Sequence, residues 1–352
     1  MSFAKVSVLK LSMPSLAWKI VQTILWLIGV IIVSLLLFKP DLGILLFWNL
    51  LIPIAPAIVV IIPGVWRNIC PMSSSALLLT KLGLSQQKKI SIHNTGKLFS
   101  AGVVALILIV PLRHLLLNTS GPSTAVMLLI ATAIAIVMGY KYQWRSGWCA
   151  SLCPIHSVER LYGSTPAFTT DNAHCTTCEK CTSICPDSTR QMSAAITRNV
   201  SMEKLSGLVM TGGFVGYIWG WYHVPDYVEV GFWQVVTAYA LPLGAGLISL
   251  AIYLLLRKLL APAAIRDVNK VFATSAVICY YWYRLPSLVG MGLYPDDGVL
   301  INLSDTLPGW FPIVLKLASA LFFVWFMLFR NLNRQKRSWS TRPEYAIKVS
   351  NI

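Results

Sequence analysis

This chain is poor in charge, and poorest in acid. Charged residues fill 12% of its 352 positions, and only 13 are Asp or Glu. An average soluble domain is about 25% charged. The shortage excludes a soluble enzyme as the leading class, and no pair of acids forms a di-metal motif inside an apolar segment. Also missing are a glycine-rich nucleotide loop after a strand and a grouping of Ser, His and carboxylate for nucleophilic chemistry. The opening residues, MSFAKVSVLKLSMPS, lack the form of a cleavable signal, so the apolar stretch behind them is expected to be retained.

What remains is apolar: 56% of the residues are hydrophobic. Crossing the ~30 Å hydrocarbon core takes about 20 apolar residues. Eight segments qualify, roughly 17–38, 43–62, 98–117, 123–142, 205–223, 232–256, 271–290 and 310–330. The expected fold is therefore an all-α polytopic membrane protein of about eight transmembrane helices. Pro53, Pro56, Pro111, Pro242 and Pro286 predict kinks, which packed membrane bundles tolerate. The stretch YYWYRLPSLVG is expected to end the seventh helix early.

The formal charge is +16. With the N-terminus inside and the sides alternating, only Lys39, Arg113, Arg284 and Lys316 of the 29 basic residues stay away from the inner face. Basic residues favour the cytoplasmic side. The imbalance thus reads as topology, with the lipid bilayer and its anionic headgroups as partner and no role for nucleic acid. Both termini are expected in the cytoplasm, in a multi-pass inner-membrane protein. Four regions follow: a membrane half over 1–142, a cytoplasmic insertion over 143–204, a second membrane half over 205–330 and a basic tail over 331–352.

Seven of the eight cysteines fall on the inner side by this topology, where thiols stay reduced and bind metal. The densest run is Cys175-x2-Cys178-x2-Cys181-x3-Cys185-Pro186. This is the bacterial ferredoxin pattern for a [4Fe–4S] cluster. Structural zinc is the competing reading, but it normally uses two separated Cys-x2-Cys knuckles. In two-cluster ferredoxins the fourth cysteine of a run serves the other cluster, so Cys185 either closes this cluster or belongs to a second.

A second motif precedes the run. GWCASLCPIHS holds Cys149-x3-Cys153-Pro154, and GVWRNICPMSS, after the second span, echoes it around Cys70-Pro71. Gly64 aligns with Gly147, and Trp66 stands where the second copy has Cys149. Ser73 meets Ser157 only after a one-residue slip. Both copies end a membrane hairpin on one face and read as an internal repeat. Cys70, Cys149 and Cys153 are thus candidate additional ligands, and one cluster or two remain open. Cys279 reads as a buried apolar thiol.

Hairpins ending in Cys-Pro and followed by a ferredoxin-type run resemble a family of polytopic membrane iron–sulfur proteins. It includes the membrane quinol dehydrogenase subunit of periplasmic nitrate reductase and the membrane flavoprotein associated with nitrous oxide reductase. The resemblance covers roughly 43–190. Its members carry two runs and two complete Cys-x3-Cys-Pro motifs, whereas this chain has one run and Trp66. The resemblance implies electron transfer between the cytoplasmic face, the quinone pool and a partner redox enzyme, with direction, haem and flavin left open.

Outer-side residues offer further candidates. His114, His223 and Arg284 sit among Trp and Tyr at span ends, as quinone contacts or, for the two histidines, as axial haem ligands; the plain alternative is an anchored polar cap. Gly212, Gly216 and Gly220 share one helix face and predict close helix packing. The segment 73–90 reads as an amphipathic surface helix, and Lys316 as a snorkelling side chain. Arg145, Arg160 and Lys180 either favour a reduced cluster or dock an acidic donor such as a soluble ferredoxin. The expected function is electron transfer, with a membrane scaffold holding a structural cluster, or a transporter, as alternatives.

Overall fold

The computed structural model describes residues 10–11, 15–143, 145–174, 187, 201–330 and 338–341. Cys175, Cys178, Cys181, Cys185 and Lys180 lie outside the described residues, as do most of the expected insertion and most of the basic tail.

The chain is mostly helical, and each of the eight expected segments is a helix. Local signals set their ends. Ser91 caps the third helix by accepting from the Asn94 N–H, and Ser120 caps the fourth by accepting from Ser123. Among the described residues, six helices are long and apolar enough to cross a membrane: Ser15–Phe38, Pro40–Ile61, His93–Leu117, Gly121–Lys141, Phe232–Leu259 and Phe311–Phe329.

The other two expected spans differ. One is a glycine-rich helix in which Ser201–Leu208, Val209–Gly213 and Phe214–Tyr222 follow without a break. The other is a tyrosine-rich helix, Ile265–Leu288, which runs past residues 280–284 and ends at Leu288, inside the YYWYRLPSLVG stretch. Both are interior helices. Thr211, Asn269, Thr274, Arg284 and Ser287 are all buried on them. A helix coated by protein needs no aliphatic surface, so the hydropathy of these two is diluted by Gly, Trp and polar residues. The glycine stripe has the expected use. A Cβ at Gly216 would collide with the Ala245 carbonyl and one at Gly220 with that of Leu241, both on Phe232–Leu259.

Wide π-helical turns interrupt several helices, among them Leu45–Leu51, Arg113–Leu117 and Arg145–Leu152. Such turns cluster at functional positions. Here they carry Trp48 and Asn49, then Arg113 and His114, then Cys149.

Segment 73–90 is not one amphipathic helix. Pro71–Ala76 and Leu78–Lys81 are separate short helices, and the chain then extends so that Lys88 bridges to Tyr142. A small parallel sheet, unforeseen from sequence, joins distant parts in the order β1 (Lys10–Leu11), β2 (Thr169–Asp171), β3 (Ser340–Thr341). Lys10 pairs with Thr169, and Thr170 with Ser340. It ties residues near both ends of the chain to the segment leading into the cysteine run.

Candidate functional site

The bundle has a polar site at each end. At one end the two Cys-Pro copies share one backbone. Cys70 has φ −58° and ψ 119°, and Cys153 φ −60° and ψ 119°; each precedes a short helix that begins on its proline. Proline forces the residue before it out of the helical region and starts a helix well. The carbonyl of Cys70 accepts from Ser73 N–H and that of Cys153 from His156 N–H, each at 3.1 Å. His156, not Ser157, is therefore the counterpart of Ser73, and the slip in the sequence alignment disappears.

The copies grip each other. Trp66 Nε1 donates to Glu159 at 2.8 Å, on the helix that follows the second Cys-Pro. Cys149, which stands in the place of Trp66, reaches Ser73 of the first copy at 3.8 Å. The Cys70, Cys149 and Cys153 thiols are close enough to bias one another. Burial pushes Cys70 up to about 12, with Cys149 and Glu159 adding to it. Cys153 is raised by burial, then by Glu159 and the other two cysteines. Burial thus favours the thiol form at Cys70 and Cys153, and a metal would have to displace their protons. Among the described residues no three His, Cys, Asp or Glu side chains group to hold a metal ion.

Between the copies lies a buried ionic clamp. Arg67 donates through NH1 to Glu159 at 2.5 Å and to the Cys149 carbonyl at 2.9 Å, and through Nε to Asp187 at 3.0 Å. Burial disfavours the Glu159 charge, but Arg67 and His156 outweigh it and hold the carboxyl down to about 2. Burial also pushes His156 down to about 4. Next door, the fully buried Asn68 donates to the Asp171 carbonyl at 2.8 Å and accepts from Ala173 N–H at 3.1 Å. Asn172 Nδ2 donates to Asp187 at 2.9 Å, and the Asp187 carbonyl accepts from Ser340 N–H at 2.8 Å. Residues 172 and 187, on either side of the cysteine run, are thus joined to each other and to Arg67.

Sequence reasoning missed this clamp, although one signal was present. In a chain with so few acids, Glu159 and Asp187 both fall near the cysteines. Arg160 also departs from expectation. It is buried against Glu203 at 2.8 Å with its guanidinium over Phe99, so it is not on a docking face.

At the opposite end, His114 and Arg284 come together around one cavity of about 30 Å³, which Tyr222, Asp226, Tyr294 and Asp297 also line. His114 Nδ1 meets Asp226 at 2.6 Å and Nε2 meets the Trp221 carbonyl at 3.0 Å, which leaves neither nitrogen for a haem iron. Arg284 donates to the Trp48 carbonyl and to Asn49. His223 stands apart, bonded to the Trp219 carbonyl at 2.7 Å and tilted against the Trp219 ring, with centroids 4.0 Å apart. The cavity has room for water. No family model, curated protein or solved structure matches this chain.

Proposed function

We propose that this chain is a membrane-bound electron-transfer protein. Cys175, Cys178, Cys181 and Cys185 hold a [4Fe–4S] cluster at the cytoplasmic face of the inner membrane, and electrons pass between a cytoplasmic donor or the quinone pool and a partner redox enzyme. The observation that carries this reading is the bond between the residues that flank the cysteine run. Asn172 donates to Asp187 at 2.9 Å, which holds the described residues before and after the run together. Short loops wrap a cubane well, and four thiolates two or three residues apart suit it.

When bound, the cluster supplies one-electron redox chemistry. The protein's own residues set its surroundings. Arg67 anchors the loop and offsets two buried carboxylates. Asn68 fixes the chain just before Cys175. Exposed Lys81, Lys88 and Lys89 offer a basic face to an acidic donor. The family resemblance favours the same function, and the basic inner face favours this orientation.

The test is anaerobic purification with iron and sulfide assays and low-temperature EPR. About four irons and four sulfides per chain are expected, with loss of the signal in Cys178→Ser. A folded chain without iron and sulfide overturns the reading. A cluster fixed in one state across physiological potentials replaces electron transfer with the scaffold alternative.

A further inference from the structure

The outer cavity holds polar groups that the electron-transfer reading leaves unused. Tyr222 lines it, is only 8% exposed, and its hydroxyl has no hydrogen-bond partner among the described residues. An unpaired buried hydroxyl is costly, and water is its usual remedy. Water needs about 10–15 Å³ of such space, so the cavity of about 30 Å³ has room for it.

Asp297, half-buried, lines the same cavity. It accepts the Asp226 N–H at 2.8 Å, and no ion pair to it occurs among the described residues. Asp226 is itself held by Asn118, at 2.8 and 3.0 Å, and by His114. Because the Trp221 carbonyl can only accept, His114 Nε2 carries a proton.

Every element around the cavity contributes charged or titratable groups. Arg113 comes from the span end, sandwiched over Trp48 and Trp221. Tyr280, Tyr283 and Arg284 come from the tyrosine helix. Tyr227, Tyr294 and Asp296 come from the loops.

We infer that this cavity is a water-holding proton-exchange site on the outer face, with Tyr222 and Asp297 binding the water and Asp297 taking the proton. Uptake converts the Asp297 carboxylate to its acid, and the proton comes from cavity water in exchange with the outer solution. Release is the reverse. The Tyr222 hydroxyl donates to the water and stays protonated. Burial first, then the neighbouring Asp226, push the Asp297 carboxyl up, in the direction such a role needs. No oxidant or cluster takes part, so the inference stands apart from the proposed function and survives an empty cysteine run.

The test is infrared difference spectroscopy of the full chain in lipid nanodiscs after pH jumps, in H2O and D2O. A protonated-carboxyl C=O band is expected to titrate above the ordinary aspartate pKa of about 3.9 and to move in D2O. Asp297→Asn removes it, Asp297→Glu retains a shifted band, and Tyr222→Phe moves it. The proposal is overturned if there is no such band, if the band survives Asp297→Asn, or if it ignores Tyr222→Phe. Thermal unfolding gives an independent reading. A dry, unpaired hydroxyl makes Tyr222→Phe more stable, which overturns the bound water; a hydroxyl satisfied by water makes it less stable.

Discussion

Arg67 shows how much one side chain can organise. Its guanidinium serves two carboxylates and a carbonyl in different directions, a geometry that the point charge of Lys cannot copy. Arg67→Met leaves Glu159 and Asp187 buried without their cation. Breaking a buried pair in this way costs about 3–5 kcal/mol. The expected outcome is a lower melting temperature, a protease-sensitive loop and reduced iron retention, with Arg67→Lys intermediate. The same cluster sets an acid response. The folded chain holds His156 at about 4 against an ordinary 6.5, and Glu159 at about 2 against 4.5. Between pH 6.5 and 4 the unfolded chain binds a proton at His156 that the folded chain refuses. Stability therefore falls as pH falls through that window, and Glu159 adds its loss between 4.5 and 2. Thermal melts at stepped pH check this. His156→Gln is expected to flatten the upper window and to narrow the lower one, because His156 helps hold the Glu159 carboxyl down.

Among elements, the helices that sequence hydropathy describes least well are those most enclosed by protein. Gly216 meets the backbone of Phe232–Leu259, while Gly244, on that same helix, has open space about its Cα. Gly216→Val is expected to cost about 1–3 kcal/mol or more, since the backbones must part. Gly244→Ala is expected to be neutral or stabilising by up to about 1 kcal/mol. Detergent melting curves of the two variants separate a packing surface from mere small-residue content. The Cys-Pro repeat was legible because proline fixes its own φ and restricts its neighbour, so the local sequence dictates local geometry. The sheet was not. Strands of two or three residues carry no alternation to detect, and their partners are more than a hundred residues away. Yet β3 matters to the site. Trp339 Nε1 donates to the Gly163 carbonyl at 2.6 Å and Ser340 holds Asp187. Ending the chain before Ser338 is expected to release the loop neck and lower iron content while the membrane helices still assemble. Circular dichroism and iron assay on one preparation test both halves of that expectation.

At the scale of the molecule, charge and span order agree without reference to any single contact. The basic residues gather at the end that bears the Cys-Pro hairpins. The opposite end carries Asp41, Asp226, Glu229, Asp296, Asp297 and Asp305. This polarity was readable from sequence because it needs only the position of each apolar run. The two polar sites were only half readable, because hydrogen bonds such as that of His114 with Asp226 join residues far apart in the chain. Orientation has a direct test. Lys89 follows the first Cys-Pro copy, and Asp305 lies in the loop before the last span; both are exposed. Lys89→Cys and Asp305→Cys, made separately with the native cysteines kept, are treated with a membrane-impermeant maleimide. In intact right-side-out spheroplasts, Asp305→Cys is expected to gain label over the parent chain and Lys89→Cys to gain none. In inverted vesicles the pattern reverses. Label at position 89 from outside would put the cysteine run on the oxidising side of the membrane, where a disulfide-bonded loop is favoured over a cubane, and the proposed function would fall with it.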